Sequence, residues 1–224
     1  MTKQSRLLIA FWPLMTARHK PPLSSRKQPQ QARSTELVAT ILEAAVQVLR
    51  KEGAQRFTTA RVAERAGVSI GSVYQYFPNK AAILFRLQSD EWQQTAELRR
   101  NILQDVTRPP LERLRALVHA FIHSECDEAE VRMALNDAAP LYRHAPEAQE
   151  ARALRRSHAE AFMQEVLPKN SEATRAVAGN LIMSTMSDVG KHFSQNARTP
   201  AEIEIFAEAM ADMFCTYLGS LARV

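Results

Sequence analysis

Residues 57–80 read FTTARVAERAGVSIGSVYQYFPNK, and they contain the capping and turn residues from which the fold can be inferred. One of the two threonines at 58–59 can cap a short helix that ends before Gly67. Gly67 opens a three-residue turn because glycine tolerates a positive φ. Ser69 can cap a second short helix, which is predicted over residues 70–76. Two short helices joined by such a turn cross steeply, so the pattern predicts a helix-turn-helix.

Helical periodicity extends in both directions from this stretch. Upstream, one apolar face is predicted on a helix from Ser34 to Gly53, with Gly53 suited to a left-handed C-terminal position. Its members are Val38, Ile41, Leu42, Ala45 and Leu49. Downstream, Asn79 can cap a long helix from Lys80 to about residue 104. Further helices are predicted over roughly 111–122, 128–139, 147–167, 171–195 and 200–222.

These patterns predict an all-α protein, since no stretch alternates with a period of two. Residues 34–80, here called the reading head, are predicted to form a three-helix, helix-turn-helix DNA-binding domain. Residues 81–224, here called the body, are predicted to form a second helical domain. Residues 1–33 hold prolines, serines and glutamines and are predicted to be a disordered basic extension.

The second short helix presents groups that suit the edges of bases. Its predicted exposed residues are Ser69, Ile70, Ser72, Gln75 and Tyr76. Glutamine can bind adenine in a bidentate manner, and Ile70 can contact a thymine methyl. Gly71 would let the backbone approach DNA closely, and the hydroxyls of Tyr74 and Tyr76 could reach phosphates.

This segment resembles the DNA-binding domain of the tetracycline-repressor (TetR) family of bacterial regulators. The matching positions are Thr58-Thr59, Val62-Ala63, Ala66-Gly67-Val68-Ser69, Gly71, Val73-Tyr74, Tyr76-Phe77 and Asn79-Lys80, followed by Ile83-Leu84. The resemblance is specific over about residues 35–85. Beyond them, only length and helical pattern agree.

The resemblance implies roles for individual residues. Phosphate contacts would come from Thr59, Tyr74 and Lys80. The groove would be lined by Ile70, Gly71, Ser72, Gln75 and Tyr76. Gln75 departs from the aromatic or basic residue that many relatives carry, so no relative's operator sequence can be transferred to this chain.

Charge is distributed unevenly along the chain. Residues 1–80 carry 13 basic and four acidic side chains, whereas residues 81–224 carry 16 basic and 20 acidic ones. A basic front half favours a polyanionic partner such as DNA. A solvated basic tail without a partner is the alternative that charge alone leaves open.

The N-terminal segment raises a competing hypothesis. Two basic residues precede the apolar run Leu7–Met15, as in a short export signal, which would suit a membrane-associated or exported helical protein. The run contains Pro13, is too short to span a bilayer and is followed by no small-residue cleavage site. Two widely separated cysteines suit a reducing compartment, so a cytoplasmic protein without membrane contact is predicted. The family resemblance implies that this cytoplasm is bacterial. Met15 is one alternative start of the natural protein.

The last two predicted helices, 171–195 and 200–222, are apolar over broad faces. The family resemblance implies that they form a symmetric homodimer through a four-helix bundle. Two heads about 34 Å apart would suit a palindromic operator. A monomer with a buried last helix is the alternative.

The resemblance also implies that the body, residues 81–224, is an effector-binding and dimerisation domain. A small-molecule effector would bind within it and release the protein from DNA. The candidate effector-binding residues are Trp92, His119, Phe121, His123, Tyr142, Phe162, Met163, Met183 and His192. Their mixture of aromatic, thioether and polar groups suits an amphipathic or aromatic compound. Ordinary core packing is the alternative for each of them.

A metal- or protein-responsive body is the second hypothesis. His119, His123 and Cys126 follow one another at i, i+4 and i+7, which places them on one helix face as a candidate metal site. No phosphate-binding loop, nucleophile elbow or paired-carboxylate motif is evident. The sequence therefore predicts a DNA-binding regulator, most simply a repressor, rather than an enzyme, and no cofactor.

Overall fold

The computed structural model describes residues 32–142, 145–146, 149 and 159–223, and all regular structure in them is helical. The elements are α1 (Ala32–Arg56), α2 (Thr59–Ala66), α3 (Ile70–Tyr76), α4 (Lys80–Leu103), α5 (Pro110–Asp127), α6 (Ala129–Ala138), a 3₁₀ turn (Ala139–Leu141), α7 (159–166), α8 (Glu172–Ser194) and α9 (Pro200–Ala222). The predicted all-α class is confirmed.

Helix α1 extends beyond its predicted bounds at both ends. It begins two residues before Ser34 and continues to Arg56. Gly53 has φ 71° and ψ 173°, so the helix is kinked there rather than ended. The positive φ is the conformation that favours glycine. The N-terminal extension and most of the helix predicted over 147–167 lie outside the described residues.

The reading head has a core that continues into the body. Phe57, Val62, Val73 and Phe77 are completely buried together with the inner face of α1. The same cluster includes the first two turns of α4 and the inner face of α6. Apolar contact therefore connects the head directly to α6, in addition to the covalent connection through α4.

A second apolar cluster holds the rest of the body together. It joins the end of α4 to α5, α7, α8 and α9, with Ile122, Leu167 and Leu218 among its fully buried members. Phe193 of α8 stacks on Phe206 of α9 with a centroid distance of 3.8 Å. Helix α4 contributes to both clusters, so its position depends on the packing of both. Among the described residues, no helix combines the length and apolar character that crossing a bilayer requires.

Candidate nucleic-acid interface and body cavity

Local hydrogen bonds set the helix-turn-helix geometry. Thr58 caps α2, accepting a bond from the Arg61 backbone N–H at 3.3 Å. Gly67 ends α2 with φ 66° and donates its N–H to the Glu64 carbonyl at 3.1 Å. Ser69 Oγ then caps α3 by accepting from the Ser72 N–H at 3.0 Å. Each cap satisfies a backbone group that a helix end leaves without an intrahelical partner.

Helix α3 presents a solvent-facing surface of mixed chemistry. Ile70 is 45% exposed and Tyr74 is 41% exposed, although both are large and largely apolar. Ser69, Gly71 and Gln75 are also exposed, and Ser72 is half-buried. A Cβ added to Gly71 would meet only Ser69 Oγ, at an ordinary 3.7 Å. Packing within the chain therefore does not require glycine at this position.

Two residues predicted to contact DNA are buried instead. Tyr76 is only 5% exposed and belongs to the core of the head, which corrects its assignment to the exposed reading face. It follows Val73 by three residues, so the two side chains share the inner face of α3. Thr59 is 7% exposed, which corrects its assignment as an accessible phosphate ligand. Thr58, the preceding capping residue, is exposed.

Lys80 lies at the first residue of α4, adjacent to the C-terminal end of α3. Its side chain is exposed, and Asn79 caps the helix by accepting from the Ala82 N–H at 3.0 Å. A helix N-terminus carries partial positive charge and outward-directed N–H groups. Lys80 therefore adds a full charge to an end of a helix that already attracts anions.

The body contains a cavity of about 950 Å³. Five of the predicted effector residues line it, namely Trp92, Phe121, Tyr142, Met163 and Met183. Phe85 connects two of them, since its ring lies 6.5 Å from Trp92 and 5.6 Å from Tyr142 between centroids. This volume falls within the range of small-molecule pockets, and the lining combines aromatic and thioether groups.

The cavity also has a charged wall that the sequence reading missed. Arg132 of α6 contacts Glu125 at 2.6 Å and Glu91 at 2.9 Å, and both carboxylates line the cavity with it. Burial raises the pKa of Glu125, and the charge of Arg132 opposes that shift. The three residues come from α5, α4 and α6, so no spacing within one helix reveals them.

Tyr142 is fastened to the wall of the cavity. Its hydroxyl donates to the Leu135 carbonyl at 2.7 Å. Burial, reinforced by the nearby Glu91 carboxylate, raises the pKa of Tyr142 well above its ordinary value of 10.0. A raised acid pKa in the folded state gives stability that is present below pH 10.0 and is lost as pH rises through the folded-state pKa.

We therefore expect Tyr142→Phe to remove the latest phenol ionisation from an ultraviolet absorbance titration. At neutral pH the lost hydrogen bond should reduce the free energy of unfolding by about 1 kcal/mol. Tyr74→Phe, at an exposed position, is the matched control and should leave the late ionisation in place. A late ionisation that persists in Tyr142→Phe would contradict the assignment.

Four predicted effector residues do not line the cavity. Phe162 is buried in the second apolar cluster, with the Arg113 guanidinium 5.7 Å from its ring centroid. His192 is exposed on α8. His119 and His123 face α9, where they contact Glu204 and Glu208. The sequence reading placed all four in the pocket because the packing partner of each helix face was unknown.

The predicted metal set is corrected at one position. His119 and His123 group with Glu204, their ligand atoms lying within 4.8 Å of one another, and Cys126 is outside this group. Seven residues span about 10.5 Å along a helix, so Cys126 lies about two turns from His119, whereas His123 is only about one turn away. Cys126 is half-buried, and burial raises the pKa of its thiol.

Helices α8 and α9 expose large apolar side chains in two stripes. Val177, Leu181 and Val189 lie on α8 and are 63%, 51% and 41% exposed. Ile205 and Met213 on α9 are 71% and 51% exposed. Spacings of four and eight residues are typical of one broad apolar face of a helix. Such stripes are typical of surfaces that pack against another molecule.

Two family models match the chain. Residues 41–87 match the model described as bacterial regulatory proteins, tetR family. Residues 109–221 match the model described as tetracyclin repressor-like, C-terminal domain. The first match contains α2 and α3, and the second contains α5 to α8 and all but the last residue of α9.

One protein of related sequence and two solved structures are similar to the chain. The nucleoid occlusion factor SlmA of Vibrio campbellii is 36% identical over 83 residues, which is 37% of this chain and 42% of that protein. The fatty acid degradation regulator FadR from Bacillus halodurans has a TM-score of 0.61 at 17% identity, covering 85% of this chain and 96% of that one. A TetR-like transcriptional regulator from Rhodococcus sp. RHA1 has a TM-score of 0.63 at 14% identity, with 86% and 99% covered.

Proposed function

Because the chain belongs to the TetR family of DNA-binding transcriptional regulators, we propose that it is a repressor released from a palindromic operator by a small-molecule effector. The observation that carries the proposal is the solvent-facing surface of α3 beside the basic N-terminus of α4. In this proposal residues 34–80 bind DNA in the bacterial cytoplasm, and residues 81–224 bind the effector and form the dimer.

Recognition is divided among a few exposed side chains. Ile70 and Gln75 would contact base edges, with Ser69 and Ser72 adding short hydroxyl contacts. The exposed Gly71 would let the backbone of α3 approach DNA, since a side chain there would fill the space between them. Tyr74 and Lys80 would bind phosphates. Tyr76 and Thr59 would support this surface from within the core.

The direct test compares binding to the chain's own upstream DNA with binding to a random duplex. We expect a clear preference that weakens with salt, because phosphate contacts release counterions. Lys80→Ala should weaken binding to both duplexes and reduce the salt slope by about one per head. Gln75→Ala is the paired variant, and it should reduce the preference while leaving the salt slope unchanged. Equal binding to both duplexes by the unaltered protein would refute the proposal.

We further propose that the exposed stripes of α8 and α9 pack against the same stripes of a second copy in a homodimer. Two heads are needed because one short helix makes too few base contacts for high affinity. The stripes on neighbouring helices would form one side of a four-helix bundle. A symmetric partner places the same stripes on the other side.

Leu181→Glu should disrupt this dimer, because the symmetric interface would bury two unpaired carboxylates. We expect a cost of about 2 kcal/mol or more per copy, measured as a raised dimer dissociation constant in analytical ultracentrifugation. Val106→Glu is the matched control, since Val106 is 83% exposed in the connection between α4 and α5. An undisturbed dimer in Leu181→Glu would place the interface elsewhere.

The cavity supports the effector-binding half of the proposal. Trp92, Tyr142 and Phe121 suit an aromatic or apolar body, and the charged wall at Glu91 and Arg132 suits a polar end. Helix α4 runs from this cavity to the reading head. Helix α6 lines the cavity and also packs against the core of the head. An effector that prefers the non-binding spacing of the heads would therefore lower DNA affinity.

A further inference from the structure

The seam between α5 and α9 carries two histidines opposite two glutamates. His119 and His123 are one turn apart on α5, and Glu204 and Glu208 are one turn apart on α9. His119 Nδ1 lies 3.3 Å from Glu204 Oε1, and His123 Nε2 lies 3.0 Å from Glu204 Oε2. His119 Nε2 lies 2.8 Å from Glu208 Oε2. Each carboxylate is at least half exposed.

We propose that His119, His123 and Glu204 bind one Zn²⁺ or a similar late first-row divalent ion. Their ligand atoms lie within 4.8 Å of one another and come from two imidazoles and one carboxylate. Ligands of a tetrahedral zinc stand about 2.0–2.2 Å from the ion, hence less than 4 Å apart, so small side-chain rotations complete the set. The fourth position would hold water.

Glu208 positions His119 for this role. By accepting the Nε2–H of His119, the Glu208 carboxylate leaves the lone pair of a neutral imidazole on Nδ1, directed at Glu204. The hydrogen bond from His119 and the neighbouring Arg115 also lower the pKa of Glu208. A carboxylate behind a ligating histidine is the arrangement that fixes ring orientation at metal sites.

The contacts at Glu204 leave room for one of two occupants. A carboxylate oxygen and an imidazole nitrogen at these distances need either an N–H proton or a metal ion between them, because a lone pair on each would repel the other. Arg115 pairs with Glu208 and Asp212 further along α9, and Glu204 remains for the two imidazoles. Exposed ion pairs between protonated histidines and Glu204 are the competing explanation, and they contribute little stability.

The test uses the full chain, without a histidine tag, titrated with Co²⁺ and Zn²⁺ at about pH 8, above the ordinary pKa of imidazole. We expect one Co²⁺ per chain, with d–d absorption and no thiolate charge-transfer band, displaced by Zn²⁺. Glu208→Gln should weaken Co²⁺ binding by about 10- to 100-fold. His123→Gln on α5 and Glu204→Gln on α9 remove ligands, so each should weaken Co²⁺ binding by more than that. Zn²⁺ should raise the melting temperature of the unaltered protein but not of Glu204→Gln.

Controls separate this site from other histidines and from the thiol. His192→Gln alters an exposed histidine on α8, and Cys126→Ser removes the nearest thiol along α5, so both should bind as the unaltered protein does. The proposal is overturned if the unaltered protein shows no Co²⁺ spectrum, or if binding survives His123→Gln and Glu204→Gln. A thiolate band that disappears in Cys126→Ser would equally overturn it. Circular dichroism without metal verifies that each variant folds, and none of these readouts depends on DNA binding.

Discussion

Ile70→Glu should nearly abolish specific DNA binding while the protein stays folded and dimeric. Ile70 is 45% exposed at the first position of α3, where an acidic residue suits the helix dipole. In the groove, the new carboxylate would face phosphates and would lose any contact with a thymine methyl. With two heads per dimer and about 1–3 kcal/mol per base contact, affinity should fall by about 2–6 kcal/mol. Fluorescence anisotropy with the upstream duplex measures the loss.

The control for this variant is Val106→Glu, which introduces the same charge at an exposed apolar position away from α3. It should bind DNA as the unaltered protein does. If Ile70→Glu and Val106→Glu bound equally well, α3 would not be the reading helix. A matching loss in both would instead indicate a general effect of net charge.

Phe77→Ala should produce the largest loss of stability. Phe77 is fully buried next to α3, and its backbone N–H donates to the Val73 carbonyl at 2.9 Å. Removing a buried aromatic ring leaves a cavity and costs about 3–5 kcal/mol. Urea denaturation followed by circular dichroism would measure this as a lower unfolding midpoint. DNA binding should fail as well, because α3 rests on this core.

Tyr74→Ala is the matched comparison on the same short segment. Tyr74 is 41% exposed, so its removal should change the free energy of unfolding by no more than about 0.5 kcal/mol. DNA affinity should nevertheless fall, because the phosphate contact is lost. Equal stability losses in Phe77→Ala and Tyr74→Ala would contradict the division of this segment into buried support and exposed reading surface.

The bounds of the reading helices were predictable because their signals are local. Thr58, Ser69 and Asn79 each cap a helix through a bond to a backbone group three residues away. Gly67 adopts the positive φ that its place in the turn predicts. The spacing of Tyr76 to Val73 also indicates that Tyr76 is buried, because residues three positions apart share a helix face. The prediction that Tyr76 is exposed was wrong because it relied on the hydroxyl group as a DNA contact.

The cluster of His119, His123 and Glu204 and the lining of the cavity were only partly predictable from the sequence. The spacing of His119 and His123 correctly placed them on one face of a helix. Their partners are distant in sequence, since Glu204 follows His123 by 81 residues and Glu208 follows His119 by 89 residues. Nothing within α5 indicates that α9 packs against it. Spacing within one helix groups the two histidines with Cys126 instead, because it carries no information about residues on other helices.

The helical class and the capped turn of residues 58–69 could be inferred from the sequence alone, as could the exposure of Ile70 and Gln75 on α3, whereas that of Tyr76 was predicted wrongly. These depend on interactions between residues a few positions apart, and each one is encoded where it occurs. Only the tertiary structure decided which faces meet, namely that Arg132 joins Glu91 and Glu125 at the cavity and that His119 faces α9 rather than the pocket. The reason is physical, because apolar stripes specify that a face is buried but not which other stripe covers it.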